Sequence, residues 1–140
     1  MSSSNLMREP SGPLQAKQTL LLILLPLLST FVVLRLYLQL VRVRHVYQGG
    51  YLVHHLYIGI LLVLPAAFLL AFGADNRRLG LFARVALGAG SAMILDEITY
   101  LIATRATDQD YVSRVSFLGA IFCISLAAIV LLTLYVKFRD

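Results

Sequence analysis

Two pairs of ionisable residues stand out because they lie inside segments that are otherwise apolar. His54 and His55 are adjacent near the start of one apolar segment, and Asp96 and Glu97 are adjacent near the end of the next. Imidazole and carboxylate groups together are ligands that zinc, iron and manganese accept in proteins. The same groups can bind and release protons, because imidazole titrates near neutral pH and carboxylates inside membranes often carry protons. These residue types therefore indicate a metal site or a proton-binding site.

The segments that carry these residues are long enough to cross a lipid bilayer. Of the 140 residues, 59% are hydrophobic and 14% are charged, whereas a soluble domain averages roughly 25% charged residues. The apolar residues fall into blocks of about twenty, enough for an α-helix to span a hydrocarbon core of about 30 Å. We therefore predict an all-α membrane protein, a four-transmembrane-helix antiparallel bundle. It comprises a flexible N-terminal tail over 1–18 and a membrane domain over 19–140, with helices at about 19–41, 51–72, 79–104 and 115–136.

Helix direction places the ionisable residues at a common depth. In an antiparallel bundle, the start of the second helix and the end of the third lie at the same face of the membrane. His54, His55, Asp96 and Glu97 then lie roughly 6–9 Å from the midplane on that side. Arg35, toward the end of the first helix, reaches the same layer. Charged groups in lipid cost about 2.5–3.5 kcal/mol each, so we expect these side chains to face the bundle interior and to pair.

Helix geometry also predicts how the two pairs are oriented. Adjacent residues on a helix point about 100° apart, so we expect one member of each pair in the bundle centre and the other toward a neighbouring helix or a second copy. Tyr51 lies four residues before His55 and Tyr100 four residues after Asp96, a spacing that shares a helix face. We predict that Tyr51, Tyr100 and Arg35 support the site through hydrogen bonds or ion pairs.

Three functions fit this layer, and we favour a metal-binding membrane protein that would, if catalytic, be a membrane metalloenzyme. Its ligands would be His54, His55, Asp96 and Glu97 around a divalent zinc, iron or manganese ion. No residue is assigned a catalytic role. The first alternative is a proton-coupled transporter or channel subunit. The second is a structural or accessory subunit of a membrane complex, because a buried ion-pair network is weak evidence of activity and can simply fix helix packing.

The distribution of basic residues predicts the partners and the orientation of the chain. The net charge is +5, but the basic residues sit at helix ends, where they meet lipid headgroups rather than nucleic acid. Lys and Arg are more numerous in the tail, the second linker and the C-terminus than in the other linkers, which predicts both termini in the cytoplasm. Small residues in the third helix, Ala83, Ala86 and Gly90, offer a surface for a homo-oligomer or a membrane complex.

Short motifs in the second to fourth helices resemble those of a group of small bacterial integral membrane proteins. These proteins share a helix with an HHxxxG pattern, here residues 54–59, and a glycine-rich helix that ends in LDE, here residues 87–90 and 95–97. A loop of D-x-Y type follows, here within residues 108–111. The resemblance leaves out the first helix and Arg35. It implies a location in the bacterial inner membrane and the grouping of two histidines with two acids, but the group has no established activity.

Overall fold

The chain forms an all-α bundle of four long helices. The computed structural model describes residues 13–41, 47–48, 51–52, 54–72, 76–105 and 107–139. The long helices are α1 (Pro13–Leu40), α2 (His55–Phe72), α3 (Arg77–Ala103) and α5 (Arg114–Phe138). Each is long and apolar enough to cross a membrane. The predicted fold class is therefore confirmed.

Two short elements lie between the long helices. Strands β1 (Tyr47–Gln48) and β2 (Tyr51–Leu52) form a small antiparallel hairpin before α2. A short helix, α4 (Asp108–Tyr111), precedes α5 and is closed at its start by Thr107 and Asp110, which accept each other's backbone N–H. Neither element was predicted, because each is too short to produce a periodic pattern in the sequence.

The observed helix starts differ from the predicted ones by more than two residues in α1 and α2. α1 begins at Pro13, so the tail that we predicted over 1–18 does not extend to residue 18; residues 1–12 lie outside the described part of the chain. Proline suits a first helical turn because it lacks the N–H that would be unpaired there. α2 begins at His55 rather than at 51 because Tyr51 lies in strand β2. The shared helix face that we predicted for Tyr51 and His55 is therefore wrong, and the Tyr51 side chain is outside the described residues.

α3 is the central helix of the bundle. It packs against α1, α2 and α5, whereas α2 packs against α3 alone among the described elements. Glycine permits a close approach of α2 to α3: a Cβ atom on Gly59 or on Gly90 would lie 2.7 Å from the carbonyl oxygen of the other glycine. The small residues Ala83, Ala86 and Gly90 are all buried. The face that we expected to offer an association surface is thus covered within the chain.

Apolar side chains occupy both the interior and the outer surface. Near mid-bundle, Leu27 of α1, Ala92 of α3 and Ile124 of α5 form a buried apolar layer, which we call the leucine layer. Exposed Leu, Ile, Val and Phe side chains cover the outward faces of the long helices. An apolar exterior suits hydrocarbon and would be unfavourable in water. The chain is therefore a multi-pass membrane protein.

Candidate functional site

One end of the bundle gathers polar side chains from all four long helices. There α1 and α3 end while α2 and α5 begin, and we call this the site end. The alternation of helix direction brings residues distant in sequence to one place. We call the following residues the polar cluster: Arg35, His54, His55, Asp96, Glu97, Tyr111 and Ser116.

The first half of the polar cluster is built around Arg35. Its Nε donates to Asp96 Oδ1 at 2.6 Å, and its Nη1 donates to the Tyr111 carbonyl oxygen at 3.1 Å. Its Nη2 lies 3.3 Å from three acceptors: the Asp96 carbonyl oxygen, the Ser116 carbonyl oxygen and the Ser116 hydroxyl. Arg35 therefore ties α1 to α3, α4 and the start of α5. We call Arg35, Asp96, Tyr111 and Ser116 the arginine clamp.

Tyr111 completes the hydrogen bonding of Asp96. Its hydroxyl donates to Asp96 Oδ2, and its ring lies 4.8 Å from the Arg35 guanidinium carbon, a cation–π contact. Burial raises the pKa of the Tyr111 hydroxyl, and the negative charge of Asp96 acts in the same direction. The phenol therefore stays protonated and remains a donor. Asp96 is 0% exposed, so its carboxylate has no contact with water. The hydrogen bonds from Arg35 Nε and the Tyr111 hydroxyl replace its hydration.

The second half of the polar cluster is built around Glu97. Its Oε1 is hydrogen-bonded to His54 Nδ1, and its Oε2 accepts the backbone N–H of Leu56 at 2.9 Å. The N–H of Leu56 belongs to the first turn of α2, where backbone donors have no partner within the helix. A carboxylate suits this position because the helix dipole is positive there. Glu97 therefore acts as an N-terminal cap of α2, although it belongs to a different helix, α3.

His55 lies between the two carboxylates. Its Nε2 is 3.3 Å from Asp96 Oδ2 and its Nδ1 is 3.5 Å from Glu97 Oε2. Nε2 is buried, yet among the described residues it has no hydrogen bond of acceptable alignment. The His54 and His55 side chains are 19% and 18% exposed, against 0% for Asp96 and 2% for Glu97. The two imidazoles are therefore more exposed than the two carboxylates that they contact.

The structure brings together the residues that the sequence singled out, but the two histidines do not have the predicted orientation. Arg35, His54, His55, Asp96 and Glu97 all meet in one cluster. We predicted that one histidine enters the bundle centre and the other points elsewhere, and this is wrong because both imidazoles contact Glu97. His54 precedes α2, so the helical angle does not apply to it.

Two tyrosines and one serine also lie in or beside the polar cluster. Tyr100 is buried, and its ring lies 6.4 Å from His54 and 5.1 Å from Tyr111, measured between ring centroids. Tyr111 and Ser116 were missed as cluster members. The D-x-Y loop pattern pointed to Tyr111, whereas a serine in an apolar helix gives no such signal.

The arrangement does not favour the metal site that we predicted. Among the described residues, no group of three or more His, Cys, Asp or Glu side chains could hold a metal ion. Both oxygens of Asp96 and both of Glu97 already accept hydrogen bonds from protein donors. A cation placed beside Asp96 would also meet the positive charge of Arg35.

Outside the membrane helices, Asp110 gives a pH-dependent prediction. The Thr107 hydroxyl donates to Asp110 Oδ2 at 2.8 Å, and this bond holds the pKa of Asp110 below its ordinary value. A lowered pKa means that the capping interaction is present above the ordinary aspartate pKa and is lost as pH falls through the lowered value. In Thr107→Val we expect the pKa of Asp110 to rise toward its ordinary value, as measured by NMR titration. An unchanged pKa would show that this hydroxyl does not cause the shift.

Comparison with known proteins gives no match, either to a family model, to a curated protein or to a solved structure. Fold and site therefore define the class by themselves. The chain is a four-helix, multi-pass membrane protein with a cluster of buried arginine and carboxylate side chains and partly exposed histidines at one end of the bundle.

Proposed function

We propose that this protein binds and releases protons inside the membrane, as a proton-coupled carrier or as a channel subunit. The charge balance of the polar cluster supports this function. Arg35 offsets Asp96 within the arginine clamp. Glu97 is left with two imidazoles, so a single imidazolium makes the whole cluster neutral. Because net charge is costly in lipid, this charge count supports one proton-binding site in the cluster.

The position of His55 is the observation on which the proposal depends. The ring faces Asp96 and Glu97 of α3. The other charged or titratable groups around it are Arg35 of α1, Tyr111 of α4 and the adjacent His54. Its Nε2 is 3.3 Å from Asp96 Oδ2 without forming an aligned bond. A small rotation of the ring would align this nitrogen with the carboxylate. Glu97 contacts both imidazoles, so a proton can pass between them through a shared neighbour.

The bundle supports access to the proton from the site end. The two imidazoles are the partly exposed members of the cluster there. Toward the opposite end, the leucine layer of Leu27, Ala92 and Ile124 lies between the cluster and the other face. Release on that side therefore requires the helices to move. The Lys and Arg distribution of the linkers supports an orientation with the site end facing away from the cytoplasm. The resemblance of the motifs to small bacterial membrane proteins supports a location in the bacterial inner membrane.

Proton uptake into proteoliposomes tests the proposal. With a pH-sensitive dye enclosed and an imposed pH gradient, we expect uptake above that of protein-free vesicles, and we expect Glu97→Gln to abolish the excess. The glutamine carbonyl can still accept the Leu56 N–H, but its side chain carries no charge to hold an imidazolium. Asp110→Asn, an acid outside the polar cluster, is the matched control and should retain uptake. Uptake that is absent at every pH, or unchanged in Glu97→Gln, would overturn the proposal.

Elemental analysis of the same preparation separates the proton function from the metal function. Stoichiometric zinc, iron or manganese that disappears in His54→Ala would replace the proton proposal with metal binding. If wild-type protein without stoichiometric metal still takes up protons, proton uptake does not depend on a bound metal.

A further inference from the structure

A cavity lies at the end of the bundle opposite the polar cluster. It is a half-open cavity of about 670 Å³, lined by the start of α1, the end of α2, the start of α3 and the end of α5. Ligand pockets in proteins typically measure about 300–1,000 Å³. The cavity shares no residue with the polar cluster, and the leucine layer lies between them. Any ligand of this cavity is therefore distinct from the proton of the proposed function.

The lining of the cavity is amphipathic. Leu69 and Leu70 of α2, with Leu131 and Leu134 of α5, provide apolar walls. Glutamine, tyrosine and arginine side chains provide the polar part, and the described residues that line the cavity include no aspartate or glutamate. The cavity thus combines a hydrocarbon-like wall with a polar part whose formal charge is only positive.

Arg77 and Arg84 supply that positive charge. They lie two turns apart on α3, so both project from the same side of the helix and are separated by about 10 Å along its axis. Among the described residues neither has a hydrogen-bond or ion-pair partner that would neutralise it. Gly80 lies between them, and a Cβ atom there would be 3.0 Å from Arg84 Nη1. The Arg84 guanidinium therefore lies against the backbone at Gly80 and is only half-buried.

We propose that this cavity binds an anionic glycerophospholipid. Its phosphate would lie at Arg77 and Arg84, and an acyl chain would lie along the apolar walls formed by the leucines of α2 and α5. Guanidinium groups bind phosphate oxygens through paired, charge-assisted hydrogen bonds. Arg77 is the first residue of α3, so it lies where the helix enters the membrane and headgroups are found. The apolar wall continues from there toward mid-bundle. Two cations that have no neutralising partner among the described residues select a lipid with net negative charge, as basic pockets between membrane helices do.

Lipid binding to purified protein tests the proposal. Native mass spectrometry and thermal unfolding in detergent would compare phosphatidylglycerol, zwitterionic phosphatidylcholine and inorganic phosphate. The variants are Arg77→Gln, Arg84→Gln and Arg78→Gln. Arg78 is exposed on the same helix but does not line the cavity, so Arg78→Gln is the matched control with the same loss of charge.

The expected result is specific to one lipid class and to two arginines. Phosphatidylglycerol should bind the wild type and Arg78→Gln alike and raise the midpoint of thermal unfolding of both. Its apparent affinity should fall about tenfold in Arg84→Gln, because a charge-assisted bond is lost, and it should also fall in Arg77→Gln, whose exposed residue can be changed without disturbing the fold. Equal binding of phosphatidylcholine, equal stabilisation by phosphate alone, or equal loss in Arg78→Gln would each overturn the proposal.

Discussion

Arg35→Leu is expected to lower the free energy of unfolding by about 3–5 kcal/mol, the usual effect of removing one partner from a buried ion pair. Asp96 is 0% exposed and would lose its bond to Arg35 Nε. The carbonyl oxygens of Tyr111 and Ser116 would lose their donor as well. The arginine clamp would then no longer connect α1 with α4 and the start of α5. Equilibrium unfolding in detergent micelles measures the change.

Two further variants show whether the loss comes from an unpaired charge. Arg35→Leu combined with Asp96→Asn should recover part of the stability, because no uncompensated carboxylate remains buried. Arg114→Leu removes an exposed arginine at the start of α5 and should have little effect. If Arg35→Leu costs no more than Arg114→Leu, the clamp does not stabilise the bundle.

Glu97→Leu is expected to destabilise the start of α2 through the loss of two hydrogen bonds. The Leu56 N–H and the His54 ring would both lose their acceptor. A donor left unsatisfied away from water costs about 1–3 kcal/mol. Because α2 packs against α3 alone among the described elements, few other contacts can offset the loss. Hydrogen exchange measured by mass spectrometry should therefore accelerate in the first turns of α2 and much less in α5.

Glu97→Gln is the control that separates structure from function. Its side-chain carbonyl can still accept the Leu56 N–H, so α2 should retain most of its protection from exchange. The same variant should lose proton uptake under the proposed function. If glutamine and leucine at this position accelerate exchange equally, the cap on α2 depends on the negative charge rather than on the hydrogen bond.

The two halves of the polar cluster suggest a division of roles. The arginine clamp contains a guanidinium that stays charged at any physiological pH, so its pairing with Asp96 is constant. The half around Glu97 contains two imidazoles, whose charge can change. Proton binding would thus alter the contacts of α2 while α1, α3 and α5 remain tied together. In the proposed function, α2 is therefore the helix whose position responds to the proton.

The sequence by itself determined the membrane-spanning class and the depth of the polar residues. Both follow from local physical rules: a bilayer sets the length of apolar segments, and alternating helix direction sets the height of each residue. The cost of charge in lipid also explains why Arg35, His54, His55, Asp96 and Glu97 had to meet inside the bundle.

Only the tertiary structure decided which of these residues pair and what surrounds them. Pairing depends on how each helix is rotated and on where α2 begins, and the β1–β2 hairpin moved that start to His55. Tyr111 enters the cluster because the short helix α4 turns it back toward Asp96. Gly90 of α3 is buried within the chain because α2 crosses α3 at Gly59. These outcomes rest on contacts between residues far apart in sequence, which neither hydropathy nor spacing within one helix can specify.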